Sequence, residues 1–436
     1  MKRFLKKTLV GVIAASMMAS LAGCGSSSSS STSSTTSASG EEKVTLNVWH
    51  QWATDTNDLK KVYEAAIVKY KTLHPNITIK TDTLDNAAYK TKINTSFASS
   101  TDAVDVFYYW SPGMVGKLVE AGKIMPLDDY LKDGTLDKIV PGSLDAFKFN
   151  GKTYALPSFS WVMSLYCNKE LFDKNSIKIP TNYDEWLDAC KKFSAKGIVP
   201  IVNGSKDAWN ACFVYEALAL KSVGAANENA FLSGKAKFDD PGYLDAAKKV
   251  QELIAAGAFG KTTLGTSHDE ADAAFLSGKA AMRIMGSWFA GSVDTNKDSV
   301  VKGKIVAVNI PTITGGKGSD KEFAGGFTEA FFVNNNTKHK KEAAEFDKFI
   351  NEAMGNGADE ISSGFSGWKG TIDTSKQSAL YKQVAEIVKT SNASVLAWDT
   401  SLDSAKAQVH YDDVQALFGG KVTPEVFVKT QADASK

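Results

Sequence analysis

This chain carries no surplus of charge. It has 50 Lys and Arg against 49 Asp and Glu, a formal net charge of +1. Past the first seven residues no basic block or stripe stands out, so no nucleic-acid partner is expected. Histidine is scarce. His50, His74, His268, His339 and His410 are scattered without metal-ligand spacing, and neither metal nor cofactor is expected. Cysteine occurs four times, at 24, 167, 190 and 212. That is too few and too widely spaced for a disulfide framework. Cys167, Cys190 and Cys212 read as small buried hydrophobes, with a bridge such as Cys190 to Cys212 left open. Beyond residue 23 no apolar run is long enough to span a bilayer.

Catalytic signatures are also missing. Gly260-Lys261-Thr262 has the end of a phosphate-binding loop, but the required earlier glycine is Ala255, so backbone amides could not wrap a phosphate. Asp294, Asn296 and Asp298 start like a calcium loop. Its turn position is Ser299 and its last ligand position is Ile305, neither of which serves. The stretch Gly364-Phe365-Ser366-Gly367-Trp368 lacks the glycine placement of a nucleophile elbow. Carboxylates are plentiful, but no segment singles out a glycosidase pair. The chain is expected not to be an enzyme.

The N-terminus is distinctive. Lys2, Arg3, Lys6 and Lys7 precede an apolar run that ends at Leu21-Ala22-Gly23-Cys24, and a Ser/Thr tract follows to Gly40. This order reads as an export signal over residues 1–23. The Cys after Leu-Ala-Gly resembles a bacterial lipobox, which implies cleavage before Cys24 and lipidation of its thiol. Residues 24–42 then read as a flexible tether. Segment 25–40 would span about 20–24 Å root-mean-square. The expected location is outside the cytoplasm, with the membrane reached through the lipid anchor only.

The remaining chain is too long for one ordinary core and predicts two or three lobes. Alternation of Val44, Leu46 and Val48 predicts a strand over 43–49. Leu59, Val62, Tyr63, Ala66, Ile67 and Tyr70 recur at helical steps, and Pro75 bars continuation. Strands over 76–80 and 104–109 alternate with a helix over 89–98. Further helices are predicted over 183–195, 243–256 and 340–354, with a short strand over 330–333. The last sixty or so residues read as mainly helical. Such alternation predicts an α/β fold with mostly parallel sheets.

Tryptophan, present nine times, is the positive signal. Trp49, Trp52, Trp110, Trp161, Trp209, Trp288 and Trp368 lie near strand ends or turns, often beside Gln, Asn, Asp or Ser. Trp186 falls on a helical stripe and reads as core. Ligands of open α/β sheets bind beyond strand ends, and flat aromatic faces beside planar polar groups suit sugars. Each Trp alone is equally well explained by core packing; the group favours a binding cleft.

Ordered blocks then carry a family resemblance. Ser99-Ser100-Thr101 with Ala103-Val104-Asp105-Val106-Phe107 comes first, with Ala103 where proline is usual. Gly122-Lys123-Ile124 with Pro126-Leu127-Asp128 follows, then Gly151-Lys152-Thr153-Tyr154-Ala155-Leu156-Pro157. Next come Tyr166-Cys167-Asn168-Lys169-Glu170-Leu171-Phe172, with Cys167 replacing an aromatic, and Pro180-Thr181 with Asp184-Glu185. Phe275-Leu276-Ser277-Gly278-Lys279-Ala280-Ala281-Met282 with Gly286-Ser287-Trp288 is the strongest. Together these resemble the carbohydrate-binding family 1 of extracellular solute-binding proteins of ABC transporters, similar in fold to maltose-binding protein.

The resemblance implies a type II two-lobe periplasmic-binding-protein-like fold with ligand held between lobes. The expected first lobe is 43–157 and 312–362; the second is 158–308 and 369–436. A second crossing is expected over 308–312 and a third near 364–370. The implied ligand contacts are Gln51, Trp52, Tyr109, Trp110, Ser160, Trp161, Ser287, Trp288 and Gly326, with Asp85, Asn203, Trp209 and Trp368 as further candidates. Gly286 is expected to aim Trp288, and Gly325-Gly326 to let backbone approach ligand. The implied partners are a carbohydrate ligand and ABC transporter permease subunits, and a monomer is expected. A secreted glycosidase and a same-fold receptor for a non-sugar solute stay open as alternatives.

Overall fold

The computed structural model describes residues 42–435, apart from 56, 100–103, 371 and 376. The expected leader (1–23) and Cys24, the tether (24–42) except position 42, and Ser100, Thr101 and Ala103 of the first block lie outside the described residues.

Among the described residues the strands are, in chain order, β1 Val44–His50, β2 Ile77–Thr83, β3 Val106–Trp110, β4 Lys148–Phe149, β5 Lys152–Thr153, β6 Phe159–Asn168, β7 Val199–Ile201, β8 Ala280–Gly286, β9 Ile305–Val308, β10 Glu322–Phe327, β11 Glu329–Val333, β12 Phe365–Ser366 and β13 Ala393–Val395. One sheet runs β11-β3-β1-β2. A second runs β13-β10-β6-β8-β7, with β9 and β12 also paired to β6. Each sheet has its own buried core, so the body is an α/β fold of two lobes.

Local chemistry explains the first elements well. The helix Asp58–Leu73 starts where the Asn57 side chain accepts the Leu59 N–H at 3.0 Å, a cap that satisfies an orphan donor. Its buried stripe is Leu59, Tyr63, Ala66 and Tyr70, which packs on the helix Lys340–Glu360. The helix Ala208–Val223 is different, since every residue from Asn210 to Val223 is buried. A helix buried all round must satisfy its polar side chains internally. Lys221 Nζ therefore donates to the Ser319 and Glu322 carbonyls, both at 2.7 Å. Ser222 Oγ donates to Asp245 at 3.0 Å. Glu216 faces His410 Nε2 at 3.2 Å.

Both sheets are mixed. Parallel pairing joins β1 to β2 and β3, β7 to β8, and β10 to β13. Strand β6 pairs antiparallel with β8, β9, β10 and β12. The reason is the chain path: β6 carries the chain from the first lobe into the second, and β10 carries it back in the opposite sense. Phe159 belongs to the first core and Trp161 to the second. Between them Ser160 pairs with Phe327 of β10 and with Phe365 of β12. All three crossings thus meet at Ser160.

Two expected boundaries move. Residues 308–312 are not a crossing, because β9 pairs with β6, and Ile310 and Ile313 pack in the second core. Nor does 312–327 belong to the first lobe, since β10 lies in the second sheet and Ala324 in its core. The chain returns to the first lobe at Thr328, and Trp368 is its last residue in that core. Glycines hid this crossing. Gly325 and Gly326 deplete β10 of strand-forming residues, and both hold a positive φ, +140° and +144°, that side chains rarely adopt. A Cβ on Gly325 would overlap the Trp161 carbonyl.

Cys167, Cys190 and Cys212 are all free and buried. Burial pushes the Cys190 thiol up to about 12, so it holds its proton and packs as a small hydrophobe.

His50, at the end of β1, accepts the Trp52 N–H on Nδ1 at 3.2 Å. Burial, with help from the Lys60 charge, lowers its pKa to about 3 from the usual 6.5. The unfolded chain takes up this proton near 6.5 and the folded one only near 3. The stability contributed by the neutral ring is thus complete above about 6.5 and lost as pH falls toward about 3. The expected result is a His50 NMR resonance that does not titrate between pH 7 and 4, while the denaturation midpoint falls and falls less in His50→Asn. A His50 midpoint near 6.5 in the folded protein would contradict this.

Candidate functional site

The second lobe builds a continuous aromatic row. Trp161, early in β6, stacks on Phe213 at 5.4 Å and 12°. Its indole N–H donates to Thr328 Oγ1 at 3.1 Å, which ties the platform to a crossing. Trp288 crosses Trp161 edge-on at 5.6 Å. Trp209 lies 5.2 Å from Phe213 and 6.3 Å from Trp288, and His268 lies 5.2 Å beyond Trp209. Trp161 and Phe213 are buried, while Trp209 and Trp288 stay half-exposed. The first two are therefore foundation; the second pair presents faces to solvent.

Local sequence explains how Trp288 gets there. Strand β8 ends at Gly286 and a helix begins at Trp288. The indole folds back over Gly286, where any Cβ would collide with its six-membered ring. Ser287 is buried and its Oγ accepts the Val162 N–H at 3.4 Å, so it holds β6 rather than facing outward.

A charged network underlies this row. Arg283 on β8 donates through Nε to Asp272 Oδ1 at 2.9 Å and through Nη1 to Asn210 Oδ1 at 2.9 Å. Asn203 is consumed here, donating to Ser205 Oγ at 2.9 Å and to the Asn210 carbonyl at 3.2 Å. His268 N–H donates to Asp207 at 2.6 Å. Hydrogen bonding and charge from Asp269 and Asp272 outweigh burial and raise the His268 pKa above its usual value.

The first lobe contributes a smaller set. Trp110, ending β3, donates its indole N–H to Glu329 Oε1 at 3.0 Å, and the Tyr108 hydroxyl donates to Glu329 Oε2. Burial raises the Glu329 carboxyl above the usual range, against the pull of these two hydrogen bonds. Lys90 Nζ lies 4.5 Å from the centre of the Trp110 ring. Gln51 is half-buried, and its Oε1 accepts from Asn86 at 2.7 Å.

Several expected contacts have structural roles instead. Trp52 is 2% exposed, packed among His50, Tyr108 and Phe331 rings. It turns inward because the chain bends at residue 51. Trp368 is buried in the first core with its N–H on the Pro157 carbonyl at 2.6 Å. Tyr109 is buried and donates to Asn94 at 2.9 Å. Asp85, by contrast, stays exposed, with Oδ1 accepting the Ala88 N–H at a helix start at 3.2 Å. Gly326 holds a φ of +144° that disfavours any side chain, and a Cβ there would also press on the tip of Leu396. Its lack of a side chain serves packing in β10. Lys90, Phe213, His268 and Glu329 were not singled out by sequence. Lys90 and His268 sit on helices with no motif, Phe213 reads as core, and Glu329 lies in a short apolar run.

The profile of the bacterial extracellular solute-binding proteins matches residues 53–356. A solved structure from work on xylan utilization by Caldanaerobius polysaccharolyticus superposes with TM-score 0.86 at 39% identity, covering 89% of this chain and 99% of that one. A chitin oligosaccharide binding protein superposes with TM-score 0.83 at 26% identity, over 90% of this chain and 98% of that one. The multiple sugar-binding protein of Streptococcus mutans is 25% identical over 81% of this chain and 80% of its own length. Among the described residues no helix is long and apolar enough to cross a membrane. A two-lobe α/β body with partly buried indoles beside its crossing strands, matched over most of its length by this profile, belongs to the bacterial extracellular solute-binding protein family.

Proposed function

We propose that this protein captures a sugar, and preferentially an oligosaccharide, between its two lobes and delivers it to the permease of an ABC importer. The observation that carries this reading is the half-exposed pair Trp209 and Trp288, packed on Trp161 and Phe213 beside the crossing strand. Flat indole faces cover sugar C–H faces, and neighbouring polar groups fix orientation. Gln51, Ser160, Trp209 and Trp288 are the residues proposed to meet the ligand; Trp110, 4% exposed, lies beneath Lys90 in the first core. The relatives named for chitin oligosaccharide, multiple sugars and maltotriose support the ligand class, and the xylan study supports starting with xylo-oligosaccharides.

Closure of the lobes on ligand would shift an open–closed equilibrium through contacts that only the closed form offers. Isothermal titration against xylo-, chito- and malto-oligosaccharides and their monosaccharides tests the reading. Binding to at least one oligosaccharide without turnover is expected; no binding to any carbohydrate overturns it.

The N-terminus completes the proposal. Lipidation of Cys24 would hold the body at the membrane on a Ser/Thr tether. Cys24→Ala is expected to release the protein into the soluble fraction, or to leave it unprocessed, with ligand affinity unchanged. Membrane fractionation and intact-mass measurement check this. Unchanged membrane retention of correctly processed Cys24→Ala would remove the anchor.

A further inference from the structure

We infer that Lys90 is an interlobe latch: its ammonium, held on the first lobe, engages Asp399 and Tyr411 of the second and biases the protein toward the closed arrangement. Lys90 sits on the helix Asn86–Ser99, whose Tyr89, Ile93 and Phe97 are in the first core. Asp399 follows Trp398 of the second core, and Tyr411 packs against that core from the helix Ser404–Phe418. Lys90 Nζ lies 3.4 Å from Asp399 Oδ2 and 3.1 Å from the Tyr411 hydroxyl, partners 309 and 321 residues away in sequence. The Tyr411 hydroxyl also donates to Asp399 Oδ2, so the three groups close a triangle across the lobes.

The lysine is prepared on its own side. Its ammonium lies over the Trp110 ring, a cation–π contact, and the Glu329 carboxyl that anchors Trp110 feels its charge. The pair is shielded from water, with Lys90 and Asp399 side chains 16% and 10% exposed. Such a pair differs from a surface ion pair, because removing Lys90 leaves the Asp399 charge shielded from water with the neutral Tyr411 hydroxyl in place of a cation. Beside it the backbones touch: a Cβ on Gly113 would overlap the Ser401 and Leu402 carbonyls. The lobes therefore meet here without intervening side chains, and a movement that parts these two surfaces breaks the triangle. A contact present in only one state raises ligand affinity by raising the population of that state.

This inference rests on the capture reading, so its test includes a measurement without ligand. Val68 and Val426 are exposed on the two lobes, at 69% and 48%. The native body thiols are buried, so Val68→Cys and Val426→Cys accept spin labels for a double electron–electron resonance distance. In the ligand-free full chain, Lys90→Met and Tyr411→Phe are each expected to shift the distribution toward longer distances. An unchanged distribution in both variants overturns the latch whether or not any sugar binds. With the xylo-oligosaccharide that titrates best, Lys90→Met is expected to weaken affinity about tenfold, within the usual range of coupling between sites. The Lys90→Met/Asp399→Asn double variant is expected to be no weaker than Lys90→Met alone. Weakened affinity with unchanged distances makes Lys90 a ligand contact and overturns the inference.

Discussion

Trp288→Ala is expected to weaken oligosaccharide binding by about 30- to 1,000-fold, the effect of losing about 2–4 kcal/mol at an aromatic hot spot. The indole is half-buried, so part of its surface stays open to a ligand while the rest packs against the second lobe. It is also fixed in place, with Trp161 at 5.6 Å and Phe213 and Trp209 each at 6.3 Å. A pre-set ring binds without paying much conformational entropy on association. Truncation also removes the packing of Trp288 on the second lobe, so the thermal midpoint is expected to fall too, and affinity is read well below the melt. Gly286→Ala tests the same point by displacement, because the new Cβ would drive the indole off its seat. Its affinity is expected to fall with that of Trp288→Ala. Titration calorimetry with a parallel melt checks both. Unchanged affinity in Trp288→Ala removes that residue from the site.

Arg283→Leu is expected to destabilise the second lobe by about 3–5 kcal/mol, the usual cost of breaking a buried ion pair on one side. Arg283 is 0% exposed and ion-pairs with Asp272 at 2.9 Å. Its other donors reach Asn210 at 2.9 Å, the Val202 carbonyl at 3.3 Å and Asn203 at 3.4 Å. Leucine satisfies none of these and leaves Asp272 without the guanidinium, with His268 Nδ1 at 3.5 Å still beside it. Lysine is also expected to destabilise, because one ammonium cannot reproduce the fork that serves both Asp272 and Asn210. Urea denaturation measures the loss. Adding Asp272→Asn to Arg283→Leu is expected to recover part of it, since the orphaned charge is gone. Trp209 adjoins Asn210, so ligand affinity should fall along with stability. A loss below about 1 kcal/mol would show that solvent reaches the pair and replaces the arginine.

These two residues lie about a strand end apart, Arg283 within β8 and Trp288 just past it, and were unequally legible. Trp288 stood out because an aromatic after Gly-Ser at a strand end has an evident use. Arg283 looked like an ordinary charge in an apolar strand. Its role depends on Asp272, Asn203 and Asn210, which reach it from three other segments. Asn203 was read as a ligand contact for the same reason: its amide is free in sequence and fully engaged in the fold. Trp52 follows one strand of the first sheet and Trp110 ends another, and both are buried. One turns into a cluster of rings, and the other is held by Glu329 beside Lys90. No local pattern separates them.

By itself, the sequence determined the element types, the alternation that yields an α/β body, and the family blocks, because hydrophobic period, caps and turn residues act over a few positions. The stripe Leu59, Tyr63, Ala66 and Tyr70 is buried as its spacing requires. The lobe boundary at Thr328, the meeting of three crossings at Ser160, the inward turn of Trp52 and the Lys90–Asp399 contact were decided only by tertiary structure. Each depends on which distant segment fills the space beside a residue. That is a property of packing between elements, and a chain read in order carries no local period for it.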